Sequence, residues 1–213
     1  MPLRMRGRSW PSEPLPVHPR RHRLDVGGTC EARRMATHFF TASSLDGFIA
    51  TDEHSLDWLL TQDVDPDGPM GYNAFEKSIG ALAMGSSTYE WVMKHEEGRW
   101  GYTQPTWVFT HREIPLPGGA DVRLTHDDVR SVHAEMLAAA AGKDIWVVGG
   151  GDLAGQFADA GLLDEVWIQY APVTLGSGAP LLPRRLDLEL LEVARNRSFL
   201  CGRYAVSSSA SAE

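Results

Sequence analysis

The spacing of apolar and polar positions is uninformative over the first 34 residues and regular after them. Thr37-His38-Phe39-Phe40-Thr41-Ala42 predicts a strand, and Asp46-Gly47 supplies turn chemistry before the short apolar run Phe48-Ile49-Ala50. Residues 51–71 read as loop, with Asp, Gly and Pro concentrated in 63–69. Phe75 and Ile79, four apart, predict a helix from Tyr72 to Ile79 that Gly80 ends. Ala81–Met84 predicts a short buried strand, and Ser86 or Ser87 a cap for a helix through Tyr89, Val92 and Met93.

Further strands are expected at Trp107–Phe109 and Asp121–Leu124. Asp127 or Asp128 caps a helix over Val129–Ala141 that Gly142 stops. Ile145–Val148 is a continuous apolar run, as expected of a strand buried on both faces. A helix over 152–160, closed by Gly161, leads to a strand at Glu165–Tyr170. Leu186, Leu188 and Leu190 then alternate with charges, and Ser198–Val206 is a second strand-like run, so the chain should end in two half-exposed antiparallel strands. Alternating strands and helices followed by a hairpin predict one α/β domain over residues 35–206: a mixed, mostly parallel sheet flanked by helices, with an antiparallel C-terminal hairpin.

Charge changes this picture only at the ends. Residues 1–34 hold eight Arg against three acids, a balance of +5, while the whole chain carries −8, leaving −13 for the rest. Rich in Pro and Arg and poor in apolar residues, segment 1–34 is expected to be a disordered basic extension, with Met35 the natural start of the domain, and 207–213 a flexible Ser/Ala tail. The extension lacks the roughly 7–15-residue apolar core of a secretory signal, and no run approaches the ~18–20 residues of a membrane span. The acidic body argues against binding along a nucleic-acid backbone. Two distant cysteines, Cys30 and Cys201, exclude a thiolate zinc site and a disulfide scaffold. The expectation is a cytoplasmic domain that engages neither membrane nor nucleic acid.

Three strand ends carry groups suited to phosphate or ribose. Gly149-Gly150-Gly151-Asp152 follows a buried strand and opens a helix, where unpaired N–H groups and roughly half a positive charge favour an anion. Gly149, Gly151 and Ala154 also satisfy G-x-G-x-x-A, although only some sixty residues follow and no acid ends the next strand. Met84-Gly85-Ser86-Ser87-Thr88-Tyr89 repeats the arrangement of strand, glycine and hydroxyl-rich helix start. Val108-Phe109-Thr110-His111-Arg112 ends a strand in a hydroxyl and two potential cations. Asp63-x-Asp65-x-Asp67-Gly68 begins like a calcium loop, but Ala74 stands where a bidentate Glu is required, so an acidic loop over the substrate mouth is expected instead. His126 and His133 read as solvated or packed imidazoles, and no His/Cys cluster has metal spacing, so no metal is expected.

In order, Ser43-Ser44-Leu45-Asp46-Gly47-Phe48-Ile49-Ala50, Met84–Glu90, Val108–Arg112, Val147–Gly151 and Pro172-Val173-Thr174-Leu175-Gly176-Ser177-Gly178 resemble the dihydrofolate-reductase-like superfamily, in particular the reductase domain of bacterial riboflavin biosynthesis and its uncharacterised relatives. The resemblance covers about residues 36–206. It implies an NADPH-dependent reductase, cytoplasmic and often a homodimer. Gly85, Ser86, Ser87 and Thr88 would hold cofactor phosphates, and Thr110, His111 and Arg112 would lie near the adenosine ribose and its 2′-phosphate. Gly149, Gly150, Gly151, Asp152 and Leu153 would meet the pyrophosphate and nicotinamide side, with a cis peptide joining adjacent glycines.

Asp46 and Asp57 are the candidate catalytic acids, orienting substrate or relaying a proton, and Ala50 and Trp58 the candidate substrate contacts. Asp46 equally suits a turn, and Asp57 a helix cap or an exposed acid. The family commonly places Arg where this chain has Ser86 and His111; Arg112 is the available replacement. Arg184-Arg185 is the nearest basic pair for a phosphoribosyl group. The expected activity is hydride transfer from NADPH to a small, pteridine- or pyrimidine-like heterocycle. Two rivals stand beside it: a non-catalytic ligand- or nucleotide-binding protein on the same scaffold, and a phosphate-binding transferase on an unrelated doubly wound sheet, which a parallel C-terminal pair would favour.

Overall fold

The computed structural model describes residues 34–207, so the expectations for the basic extension and the Ser/Ala tail fall almost wholly outside the described residues. The long apolar runs become the strands of one sheet. In chain order these are β1 (Thr37–Ser43), β3 (Ile79–Gly85), β4 (Thr106–Phe109), β5 (Val122–Thr125), β6 (Asp144–Gly149), β7 (Glu165–Tyr170), β9 (Leu188–Asn196) and β10 (Phe199–Val206). Their spatial order is β5-β4-β3-β6-β1-β7-β10-β9. All neighbours from β5 to β7 are parallel, whereas β10 runs antiparallel to both β7 and β9. This is the expected mixed sheet with an antiparallel hairpin, and it lacks the parallel C-terminal pair that would have favoured the transferase rival. A two-stranded ribbon pairs β2 (Phe48–Ala50) with β8 (Ala179–Pro180).

Alternate residues of the central strands go to opposite layers. Phe39, Ala83, Val147 and Val166 pack with Val132 and Met136 of α4 (Val129–Ala139) and Phe157 of α5 (Gly151–Asp159). Their neighbours Phe40, Leu82 and Trp146 pack with Phe75 of α2 (Tyr72–Glu76), and Met84 and Val108 with Tyr89 of α3 (Ser86–His95). A fifth, one-turn helix, α1 (Asp57–Leu60), lies before α2. Among the described residues, no helix is long and apolar enough to cross a membrane.

Three local expectations are corrected, and the choice between Asp127 and Asp128 as the α4 cap is settled. The helix from Tyr72 stops at Glu76, because Ile79 and Gly80 already belong to β3; a Cβ at Gly80 would strike the Ala140 carbonyl at the end of α4, so this glycine permits a close approach rather than stopping a helix. The cap of α3 is Gly85 in extended conformation, and neither Ser86 nor Ser87 caps it. Asp128 caps α4, accepting from the Arg130 N–H at 2.8 Å. The acidic loop 63–69 lies against the β9–β10 turn: Asn196 accepts from the Asp65 N–H and donates to the Asp65 carbonyl, Ser198 donates to the Asp63 carbonyl, and Arg197 pairs with both acids.

At the amino end of β1 a polar network sits inside the sheet. His38 lies 3.3 Å from Asp144 on one side and 3.3 Å from Glu165 on the other. Burial opposes ionisation of Glu165, yet the nearby His38 ring, hydrogen bonds from Arg203 and Trp167, and the Arg203 charge hold its carboxyl far below the usual range. Phe75 closes this layer, stacked on Phe40 at 4.5 Å and edge-on to His38 and Trp146. Phe75→Ala should therefore cost about 3–5 kcal/mol, read as a fall in the urea midpoint; a loss below about 1 kcal/mol would show that α2 does not brace the sheet.

Candidate active site

The cavity opens where the connections of two neighbouring strands diverge. β3 and β6 are hydrogen-bonded neighbours; α3 leads from β3 outward to β4, while α5 leads from β6 past β1 to β7. Such a switch point at the carboxyl ends of strands leaves a crevice. Here it holds about 280 Å³, lined by Thr41 of β1, Ile49 and Ala50 of β2, the rim residues His54 and Leu56, Ser87, Thr88 and Trp91 of α3, Val148 to Asp152, and Ala179, Pro180 and Pro183.

Two helix starts converge on it. Because Gly85 caps α3 through its backbone, the hydroxyls of Ser87 and Thr88 are not consumed in capping. α5 is likewise capped by a glycine, Gly150, at φ +93 with no side-chain bond, so its first N–H groups lack partners within the helix. Two of the surrounding glycines have no room for a side chain. A Cβ at Gly149 would stand 2.6 Å from the Thr88 hydroxyl, and one at Gly151 would strike the Pro180 and Leu181 carbonyls. A Cβ at Gly150 fits sterically, but its left-handed φ is strained for any other residue. The expected cis peptide between these glycines is absent: every described peptide bond is trans.

Of the sequence candidates, Ala50, Ser87, Thr88, Gly149, Gly150, Gly151 and Asp152 come together in this cavity. Gly85, Ser86 and Leu153 flank the lining without forming it. Thr110, His111 and Arg112 follow β4, one strand further out, where Arg112 pairs with Glu90 at 2.9 Å and its N–H is held by the Thr110 hydroxyl. Arg184 forks onto Asp152 and Asp159, while Arg185 reaches only Asp187. Hydrogen bonds from Gln156 and Arg184 hold the Asp152 carboxyl below its usual value.

The candidate acids lie outside the lining. Asp46 accepts from the Ser44 hydroxyl at 2.6 Å and from the N–H groups of Leu175 and Gly176, and these bonds lower its pKa to about 2. It thus joins the turn before β2 to the loop before β8, the two strands that form one wall. Asp57 is exposed at the start of α1, and Trp58 packs beside Ala171, Phe199 and Cys201. Residues 63–69, expected over the mouth, do not line the cavity. His133 is packed against the Thr37 hydroxyl at 2.9 Å, and His126 is exposed near His111. Among the described residues, no group of three or more His, Cys, Asp and Glu is placed to hold a metal. Sequence reasoning missed Thr41, His54, Leu56, Trp91, Ala179, Pro180 and Pro183; only Trp91, four residues after Ser87 on one helix face, had a periodic signal.

Comparison with known proteins agrees with the fold. Residues 94–202 match the RibD C-terminal domain family. Uncharacterized protein YwjB of Bacillus subtilis is 34% identical over 164 residues, covering 76% of this chain and 91% of that protein. A protein of Shewanella sp. PV-4 named for riboflavin biosynthesis is 27% identical and superposes with a TM-score of 0.70 over 82% of this chain and 100% of its own. Dihydrofolate reductase from Enterococcus faecalis, solved with NADP(H), is 14% identical, with a TM-score of 0.53 over 81% and 97% of the two chains, and shares the fold.

The Asp46 contacts have a pH signature. A carboxyl whose folded pKa is depressed stabilises the fold above its unfolded value of 3.8 and loses that contribution as pH falls through about 2. The difference in urea midpoint between the wild type and Asp46→Asn should be constant from pH 7 to about 5 and vanish toward pH 2. A difference independent of pH would show that the carboxylate charge is not what holds the loops.

Proposed function

The chain belongs to the RibD C-terminal domain family, and on that premise we propose that it is an NADPH-dependent reductase of a small pteridine- or pyrimidine-like heterocycle. The observation that carries this reading is the convergence of two glycine-capped helix starts on one crevice. Main-chain N–H groups at Gly150, Gly151, Asp152 and Leu153, with those at Gly85, Ser86, Ser87 and Thr88, form a cradle suited to a pyrophosphate. Thr110, His111 and Arg112 are assigned to the adenosine ribose and its 2′-phosphate, which would draw Arg112 from Glu90. Bound there, NADPH supplies a hydride for a C=N or C=O carbon.

The mostly apolar remainder, from Thr41, Ile49, Ala50 and Trp91, suits a flat heterocycle. In this reading Asp46 positions the β2–β8 wall, and Asp57 and Trp58 orient substrate from beyond the rim. The exposed β9 residues Leu190, Leu191 and Val193, with Leu200 of β10, form an apolar edge suited to a second copy of the chain, as in a homodimer. A non-catalytic binding protein on the same scaffold is the second reading, favoured by Ser86 and His111 where relatives carry Arg, and by Glu90 already holding Arg112. Steady-state NADPH consumption with pterins and pyrimidines separates the two.

NADPH at a hundredfold excess over its Kd should stabilise the protein by ~2.7 kcal/mol, a rise in Tm of about 5–10 °C. Gly150→Val should abolish that rise while leaving the far-ultraviolet circular dichroism unchanged. No rise at millimolar NADPH, or an undiminished rise in the variant, refutes the cradle. For the apolar edge, sedimentation should show a dimer that Val193→Lys converts to monomer; a monomeric wild type removes the homodimer.

A further inference from the structure

Reduction of a C=N or C=O bond needs a proton as well as a hydride, and the cavity holds one side chain fitted to give it. Among the lining residues, only His54 and Asp152 ionise. Asp152 is committed to Gln156 and Arg184 as an ionised acceptor. Neither Asp46 nor Asp57 lines the cavity. The imidazole of His54 forms no hydrogen bond with any described residue, and it is exposed to solvent at the rim.

Its backbone is fixed in an unusual state. His54 has φ +59, one of five left-handed non-glycine residues among those described, and of the five only His54 lines the cavity. The conformation is closed from both sides. The His54 N–H donates to the Thr51 carbonyl at 2.9 Å, the Thr51 N–H donates to the Ser55 carbonyl, and the Ser55 N–H donates to the Thr51 hydroxyl. Asp52, beside this turn, accepts from the Ser177 hydroxyl and ties it to the loop before β8. A left-handed residue other than glycine, over-determined by its surroundings, is the kind of strain that accompanies a site.

We propose that His54 is the catalytic proton donor of this cavity, a role that rests on the reductase reading above. As the C=N or C=O carbon is reduced, the π electron pair moves to the heteroatom, which takes a proton from a ring N–H of the imidazolium. That N–H bond breaks, neutral imidazole remains, and solvent at the open rim returns the proton. An imidazole is suited to this because its charge changes between about pH 5 and 8. The charged and titratable groups on the elements forming the cavity are Asp52 and Glu53 on its own turn, Asp57 at the start of α1, Glu90, Lys94 and His95 on α3, Asp152 and Asp159 on α5 with their partner Arg184, and His38 and Asp144 at the far, amino ends of β1 and β6.

The test uses the full chain labelled with ¹³C,¹⁵N-histidine, with NADPH as the probe. His54→Asn serves as the main variant because Asn tolerates the left-handed backbone. The resonance missing in that variant identifies His54. Saturating NADPH should move it and shift its titration midpoint, while His133, packed on Thr37 at the other end of β1, stays in place. With 7,8-dihydropterin as the trial substrate, His54→Asn and His54→Gln should lower kcat about a hundredfold, leave KM for NADPH unchanged, and remove the fall in kcat at high pH. The role is overturned if NADPH raises Tm but the His54 resonance does not move, or if the variants keep kcat within twofold with the same pH profile. If the wild type does not turn over dihydropterin, the spectra alone decide. No NADPH-dependent rise in Tm overturns the cradle itself, and the donor role with it.

Discussion

The carboxyl ends of β3 and β6 meet with no space for a side chain between them, and the rest of the site follows from that contact. Thr88 of α3 fills the position where a Cβ of Gly149 would stand, while the Pro180 and Leu181 carbonyls fill the one at Gly151. The two helices therefore begin close together, and their free N–H groups share one crevice. Divergence of α3 and α5 toward opposite edges of the sheet keeps that crevice open. The constraint is mechanical first and electrostatic second. Larger residues at these glycines would separate the helix starts before altering any charge.

The central sheet was legible because its strands are buried on both faces. Ile145–Val148 and Ala81–Met84 have no polar alternation to confuse with helix and no length to be one. Where the reading failed, a local pattern imitated another. Phe75 and Ile79 share helical spacing by accident: one ends in α2 and the other starts β3, because Gly80 gives the Ala140 carbonyl room to pack on the strand. Ser86 and Ser87 look like caps, yet Gly85 takes that place and leaves Ser87 facing the cavity. On β9, alternation suggested a half-covered strand. It is instead an edge strand whose pairing with β10 slips by one at Leu191, exposing leucines on both sides of the slip.

The candidate site was legible in its glycines and hydroxyls and much less so in its acids. A glycine run after a buried strand has few physical uses, and Gly149–Gly151 do line the crevice. An Asp before a Gly has many, and at Asp46 the carboxylate meets three donors that join two loops. His54 carried no signal at all. Its position depends on a left-handed turn closed by Thr51 and Ser55, and the enrichment of histidine in that conformation is too weak to announce it from the sequence.

An acidic chain with the cradle proposed above for an anionic cofactor is not a contradiction, and the distribution of hydrogen bonds shows why. The net charge of −8 acts at long range, where salt screens it within about 10 Å. At the cavity, three of the nearby carboxylates are already met by donors: Asp152 by Gln156 and Arg184, Asp46 by Ser44 and two main-chain N–H groups, Asp52 by Ser177. What faces the crevice is then dominated by peptide dipoles at two helix starts, each equivalent to roughly half a positive charge. These dipoles are fixed by the fold and carry no counter-charge to displace. Binding built on them depends on the approach of the backbones more than on any single cation, so a chain with Ser86 and His111 in place of arginines keeps the part of the site on which the reductase reading rests.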